Sequence, residues 1–349
     1  MKPPSLASGH CWLVDRDEAG AVCGRRAPLA QPAASAGRVV VDVAAAGFNY
    51  KDALACSGHP GVARQLPHVP GIDAAGTLRE PTDTLPAGTP VVVTGNGLGE
   101  SLPGGFASWL LAPADAVIPL PATLSAISAM ALGTAGLTAV VAVERLAGLI
   151  DWGHQRRMSG GNASDWLVTG ASGGVGMLAV AAAAAAGHRV LACTRKSQVA
   201  EALRSLGAAE VVAPEDVIAP GDKPLASGRY TAVIDTVGGP LLAHLLRSVR
   251  QGGAVASIGN AGGVELHTTV LPFILRGVTL AGIDAAGLLS NDQRRQLWPR
   301  LATLWAAVEP HFPVRLLGLD GVGEWAEQML AGQTRGRAVV IPSQQAQAC

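Results

Sequence analysis

The sequence predicts a two-domain α/β protein, a β-rich domain followed by a doubly wound parallel-sheet domain, and three observations carry that expectation. At 349 residues the chain exceeds the size at which a single hydrophobic core usually suffices. Its first third consists of short β-prone runs separated by Gly- and Pro-rich turns. From about Thr123 the texture changes to long Ala/Leu stretches alternating with short aliphatic runs.

In the first third, Val39-Val40-Val41-Asp42-Val43 and Val91-Val92-Val93 read as strands of a compact β-rich domain, each followed by turn residues. Beyond it, Trp166 to Thr169 reads as a strand, Gly174 to Gly187 as a helix and Arg189 to Ala192 as a second strand. A helix over Gln198 to Leu206 and strands at Glu210 to Val212 and Thr231 to Ile234 follow. Next come a helix over Pro240 to Val249 and a strand over Ala254 to Ile258. Such alternation implies right-handed crossovers and a parallel sheet. The segment Asp151 to Ala163 reads as a surface loop, Val278 to Ile283 as a strand at a sheet edge, and Ala338 to Ile341 as a closing strand. The expected domains are 1–122, 123–308 and a returning segment, 309–349.

The net charge is zero, which argues against a nucleic-acid or anionic-membrane partner, since either selects a basic face. Lysine occurs only at Lys2, Lys51, Lys196 and Lys223, so most positive charge is Arg. Cys11, Cys23, Cys56, Cys193 and Cys349 are scattered and odd in number, as in a reduced compartment rather than a disulfide framework. The run Met177 to Ala186 is apolar but too short to span a bilayer and reads as a buried helix. A cytoplasmic protein with no membrane partner is expected.

Chemistry first appears at Thr169-Gly170-Ala171-Ser172-Gly173-Gly174-Val175-Gly176. Ala171-x-Gly173-x-x-Gly176 is the G-x-G-x-x-G dinucleotide pattern with alanine for its first glycine. It follows an aliphatic strand and opens an Ala-rich helix, the context in which small residues let N–H groups approach a pyrophosphate. The second strand then ends in Cys193-Thr194-Arg195-Lys196, with no acid to accept from ribose hydroxyls. An Arg and a hydroxyl suit a 2′-phosphate, so NADPH is the expected cofactor.

With these residues the sequence resembles the medium-chain dehydrogenase/reductase superfamily, in its zinc-free quinone-oxidoreductase-like branch, and is most similar to the acryloyl-CoA reductase family. Separated blocks carry the resemblance: Phe48 to Leu54, Arg64 to Pro67, Val69 to Asp73, Thr94 to Glu100, Gly133 to Ala139, Ile234 to Gly238 and Thr268 to Arg276. The resemblance implies a GroES-like first domain, a Rossmann second domain and an active site in the cleft between them. It implies that Ser172, Gly173, Gly174, Val175 and Gly176 line the pyrophosphate and that Cys193, Thr194 and Arg195 surround the 2′-phosphate. Ile258 and Asn260 are implied near the nicotinamide, and Tyr50 is implied to reach toward the cofactor. The segment 151–163 looks longer than the family's link, and His267 stands where the family tends to carry proline.

At the zinc-ligand places of related alcohol dehydrogenases the chain has Asn49-Tyr50-Lys51-Asp52 and Gly71-Ile72-Asp73, and no cysteine lies between Cys56 and Cys193. No metal site is expected. Without a Lewis acid, conjugate reduction is favoured over alcohol oxidation, and the resemblance implies reduction of the C=C bond of a 2-enoyl thioester such as acryloyl-CoA, with a hydride to the β-carbon and a proton to the α-carbon. Alternatives are a quinone reductase on the same scaffold and an inactive NADPH-binding protein. Tyr50 is the candidate catalytic donor, since a phenol donates while neutral; an aromatic wall is the other reading. Lys51 and Asp52 beside it read as a structural ion pair, in preference to groups that orient Tyr50. Arg64 and Arg276 are candidates for the anionic part of an acyl-CoA, Arg276 reading equally well as an end-of-strand charge at a dimer surface, and Phe273 is a candidate for the substrate pocket or the core. A homodimer is expected.

Overall fold

The computed structural model describes residues 9–32, 35–154, 165–218, 220–221 and 223–343, with main chain alone at 151–154. Two compact units emerge, Met1–Thr134 with Ala286–Ala302 and Val314–Cys349, and Ala135–Ala285 with Thr303–Pro313. The first compact unit thus runs past the expected boundary at 122 as far as Thr134, and takes in 286–302 as well.

The chain runs β1 (Gly9–Arg16), β2 (Val22–Leu29), β3 (Arg38–Phe48), α1 (Tyr50–Cys56), β4 (Asp73–Leu78), β5 (Pro90–Thr94), β6 (Trp109–Pro113), β7 (Ile118–Pro119) and α2 (Ala126–His154). Within α2, Gly133 leaves helical geometry at φ 48°, and that break turns the Thr134 N–H onto the Asp73 carboxylate at 2.7 Å. Asp151–His154 ends this helix, so the first four residues of the expected 151–163 loop are helical; the remainder lies outside the described residues. Ala126–Ile150 is long and apolar enough to cross a membrane, but its most apolar window is 83 % buried, as in a core helix.

The second unit continues with β8 (Asp165–Val168), α3 (Gly174–Ala185), β9 (Arg189–Cys193), α4 (Ala200–Ser205), β10 (Ala208–Val212), α5 (Pro214–Val217), β11 (Tyr230–Asp235), α6 (Gly239–Leu246), β12 (Val249–Ser257), α7 (Leu271–Arg276) and β13 (Thr279–Gly282). Its strands are all parallel in the order β10-β9-β8-β11-β12-β13. This is the Rossmann order, reversing between β8 and β11, where ligands bind beyond the strand ends. Trp166, Leu167 and Val168 are buried in succession, as in a parallel strand covered on both faces. Two expected boundaries move. The helix expected to Val249 stops at Leu246, and β12 starts at Val249 because an irregular register lets that residue pair with Tyr230 before the regular ladder at Ala254. The helix expected over 198–206 is a 3₁₀ turn, Ser197–Val199, followed by α4.

The chain closes with α8 (Asn291–Val308), β14 (Val314–Leu317), α9 (Val322–Leu330) and β15 (Arg337–Val340). In the first unit the sheet runs β14-β15-β3-β4-β5-β7, with β6 also on β3 and with β1-β2 forming a separate hairpin. β3 carries three partners, and its Val39, Val41 and Val43 enter a core with Phe48, Phe106, Trp12 and Trp325. The last strand joins this sheet directly, at Ala338 opposite Phe48.

Candidate active site

The glycine loop leaves β8 at the topological reversal. The Ala171 N–H bonds the Cys193 carbonyl at 3.0 Å and the Gly173 N–H bonds Gly170 at 2.9 Å, folding the loop back before α3 begins. The first helical hydrogen bond runs from the Met177 N–H to the Gly173 carbonyl at 2.9 Å. The N–H groups of the first turn thus have no helical acceptor and are open to an anion. A Cβ on Gly173 would meet only the Gly170 carbonyl oxygen, at 3.4 Å, so the space above the loop is a cradle. A Cβ on Gly176 would lie 2.3 Å from that same oxygen, and only glycine lets α3 pack this close to the loop. Ser172 is buried, and Gly173, Gly174 and Val175 are half-buried.

At the end of β9, Cys193 and Thr194 are buried and Arg195 is exposed. Burial, with lesser help from nearby carboxylates led by Glu215, pushes the Cys193 thiol up to about 12, so it stays neutral. The Thr194 hydroxyl oxygen accepts the Lys196 N–H at 3.1 Å, leaving its proton to donate elsewhere. Among the described residues no partner holds the Arg195 guanidinium. The residues fit a dinucleotide carrying a 2′-phosphate: open N–H groups over a cradle, then a hydroxyl and an uncommitted cation one strand away.

Ile258 spends its N–H on the Asp235 carbonyl at 2.9 Å, and the Asn260 carbonyl accepts from Gly263 at 3.0 Å. Asn260 borders a cavity of about 300 Å³ together with Gly238, Leu242, Ser257, Leu266 and Leu280. Phe273 packs against the second unit's core beside Leu266 and Leu280. Arg276 ends a helix and points inward. Its guanidinium donates to the carbonyls of Arg247 at 2.9 Å and Val249 at 3.0 Å, and to that of Ala226. Its donors therefore tie the 226–249 segment to α7, a structural use that the sequence left open.

In the first unit Tyr50 opens α1 and is 36 % exposed, with no hydrogen-bond partner for its hydroxyl among the described residues. Arg64 is exposed and likewise uncommitted. The expected Lys51–Asp52 ion pair is not formed. Lys51 pairs with Glu100 at 2.7 Å, because the helix turns Asp52 inward, where it is fully buried. There the Asp52 carboxylate accepts N–H bonds from Asn49 (2.7 Å), Gly71 (3.0 Å) and Ile72 (2.9 Å). The first of these is the N3 half of a capping box, which fixes where α1, and hence Tyr50, begins.

Sequence reasoning missed the network that Asp52 belongs to. Asp73 accepts from the Asn49 amide (2.8 Å) and the Thr134 hydroxyl (2.5 Å) as well as the Thr134 N–H. Arg337 is 3 % exposed; it donates to Asn49 Oδ1 (2.8 Å) and to the carbonyls of Phe48, Met130 and Ala131, and stands 4.0 Å from Asp73. Burial, followed by the nearby Asp73 charge, outweighs the N–H bonds and raises Asp52 to about 7. The available signal was a charged residue adjoining an aliphatic run: Asp73 after Ile72, and Arg337 before Ala338-Val339-Val340. This cluster does not fit a zinc ion. It offers an amide and two carboxylates whose lone pairs are engaged, with a guanidinium alongside and neither thiolate nor imidazole.

A GroES-like sheet unit paired with a Rossmann unit bearing this glycine loop is the architecture of a two-domain oxidoreductase. Family models agree: residues 35–122 match the alcohol dehydrogenase GroES-like domain, and residues 174–303 match the zinc-binding dehydrogenase model. Acrylyl-CoA reductase AcuI of Ruegeria pomeroyi is 39 % identical over 95 % of this chain and 98 % of its own. The quinone oxidoreductase of Mus musculus is 28 % identical over 85 % of each. Among solved structures, Escherichia coli YhdH with bound NADPH superposes at TM-score 0.84 and 35 % identity, covering 95 % of this chain and 99 % of its own. Bacillus subtilis yhfP with NAD bound gives 0.83 at 34 % identity, covering 96 % and 99 %. The chain belongs to the medium-chain dehydrogenase/reductase superfamily, in its quinone-oxidoreductase-like branch, close to the acrylyl-CoA reductase AcuI.

Proposed function

We propose that the protein uses NADPH to reduce the C=C bond of a 2-enoyl thioester such as acryloyl-CoA. The observation that carries the substrate is the 39 % identity to an acrylyl-CoA reductase over nearly the full length of both chains. The choice of NADPH over NADH rests on the uncommitted guanidinium of Arg195 and the lack of an acid in the Cys193-Thr194-Arg195-Lys196 segment that ends β9.

When bound, NADPH supplies a hydride to the β-carbon of the enoyl group. The chain's own residues bind and orient. The first-turn N–H groups from Gly174 to Gly176 take the pyrophosphate, and Thr194 and Arg195 take the 2′-phosphate. Tyr50 holds a phenolic proton at an accessible oxygen and would hydrogen-bond the thioester oxygen as enolate charge develops; a proton delivered to the α-carbon then completes the saturated thioester. Arg64 offers an exposed cation to the anionic part of the acyl carrier.

Acryloyl-CoA, crotonyl-CoA and a simple quinone are assayed side by side for NADPH consumption. Turnover of the thioesters is expected; turnover of the quinone alone would overthrow this reading in favour of the second one, a quinone reductase, which the murine relative favours. Tyr50→Phe is expected to lower kcat about 100-fold, as loss of a general acid does. Full turnover by that variant leaves Tyr50 only the role of an aromatic wall.

The protein is further proposed to act as a cytoplasmic homodimer. β13 is an edge strand, and an edge pairs readily with its own copy. Nearby Val264 and Ile274 are 76 % and 67 % exposed, apolar area that a second copy would cover. Light scattering should give twice the chain mass, and a monomeric mass contradicts the dimer.

A further inference from the structure

Several polar side chains of the second unit, unused in the mechanism above, converge where the strand order reverses. Asp235 ends β11 and is fully buried. Its carboxylate accepts the Thr169 hydroxyl at 2.6 Å through one oxygen and the Gly238 N–H at 2.7 Å through the other. Thr169 follows β8 directly. Its hydroxyl oxygen accepts the Thr236 N–H at 3.0 Å, and its carbonyl accepts the Thr236 hydroxyl at 2.9 Å. The two strand ends are therefore stapled by side chains just where each hands over to a loop. A Cβ on Gly170 would lie 2.2 Å from Thr236 Oγ1, so the staple and the first glycine of the loop are fitted to one another.

Stability alone gives little reason for a carboxylate here. Its partners are a hydroxyl and backbone N–H groups, with no cation among the described residues to offset its burial, and burying an ionised group without one is costly. A carboxylate has a property that a hydroxyl lacks: two oxygens, each able to hold a different chain segment. One oxygen holds the exit of β8, three residues before Ser172. The other holds the Val237-Gly238 turn, which in turn carries the 259–263 loop, since the Gly262 N–H bonds the Val237 carbonyl at 2.7 Å. A Cβ on Gly238 would lie 2.9 Å from the Gly259 carbonyl oxygen, so those two loops also touch without slack.

We propose that Asp235 and Thr169 form a positioning pair that fixes the pyrophosphate loop relative to the loop carrying Ile258 and Asn260, and thereby sets affinity for the dinucleotide. This role rests on the NADPH reading above. Thr169→Val removes the hydroxyl at nearly constant volume, and Thr169→Ser restores it. NADPH is titrated against each folded protein by nicotinamide fluorescence, with urea unfolding measured in parallel. Thr169→Val is expected to raise the NADPH Kd about tenfold, the scale of one charge-assisted hydrogen bond, while Thr169→Ser stays within about twofold of the wild type. A merely structural pair would lower the unfolding midpoint of Thr169→Val and leave the Kd unchanged; that result overturns the proposal. Should Thr169→Val not fold, Asp235→Asn enters the same titration with the same expected rise, because its amide puts a donor where an acceptor is needed. A wild-type protein that binds no NADPH would defeat the cofactor reading itself, a different failure from an unchanged Kd in the variants.

Discussion

Arg337→Met is expected to destabilise the first unit by about 3–5 kcal/mol, the cost of removing one partner from a buried charge network. The guanidinium now serves Asn49 and three backbone carbonyls, and it stands beside Asp73 at 4.0 Å. Methionine fills much of the volume but leaves those acceptors unpaired and two buried carboxylates with no cation. Its effect also depends on pH, and the sign follows from Asp52. Burial already holds the Asp52 carboxyl at about 7, above its unfolded value of about 3.9. A folded pKa raised in this way gives stability that is full below the unfolded pKa and lost as pH rises through the folded one. Without Arg337 the Asp52 carboxyl becomes harder to ionise, so the variant's deficit should grow between about pH 5 and about pH 8. Urea unfolding of both proteins at those two pH values measures it. A deficit below about 1 kcal/mol, or one that shrinks as pH rises, would show that the network does not depend on its cation.

That network was also the part of the molecule least legible in the sequence. The glycine loop could be read because its determinants are local: an aliphatic strand, small residues at fixed spacing and an Ala-rich helix fall within about twenty residues. The end of β9 was legible for the same reason, since the absence of an acid there is a matter of one short segment. Asn49, Asp73, Thr134 and Arg337 instead meet across almost three hundred positions; the Arg337–Asn49 bond alone spans 288. Sequence shows each as an isolated polar residue, and only the folded sheet, with β15 laid on β3, brings them together. Arg276 is a related case. Its charge suggested an anion site, but the acceptors that occupy it are backbone carbonyls, which leave no trace in residue identity. The Ala-rich texture sets in before the first compact unit ends, because α2 carries it through Thr134, and the residue that breaks the helix, Gly133, looks like any other glycine until its φ of 48° is known. Asp235 lies in plain view between Ile234 and Gly238, yet what distinguishes it is burial with no cation among the described residues, and burial is a tertiary property.

Arg195→Asp is expected to raise the Kd for NADPH about 100-fold while changing that for NADH less than about threefold, a swing of roughly 2.7 kcal/mol. On the proposed reading the wild-type site takes a dianionic group. Arg195 is exposed at the end of β9 with no described partner to compete for it. Thr194 keeps a hydroxyl proton to donate, because its oxygen is already an acceptor for the Lys196 N–H. The Cys193 thiol, pushed up to about 12, brings no negative charge. Aspartate at 195 removes an attraction worth about 1.5–3 kcal/mol for a charged hydrogen bond and adds repulsion of the same phosphate. NADH has no phosphate there and offers ribose hydroxyls that a carboxylate can accept from, so its affinity should hold or improve. Salt separates the charge effect from a disturbed fold, since exposed charges are screened over about 8 Å at physiological ionic strength. The wild-type preference for NADPH should therefore narrow as salt is added, whereas the variant's NADH affinity should not change. Equal losses for both cofactors would point to a damaged loop; an unchanged NADPH Kd would remove Arg195 from the cofactor site and take the main argument for NADPH with it.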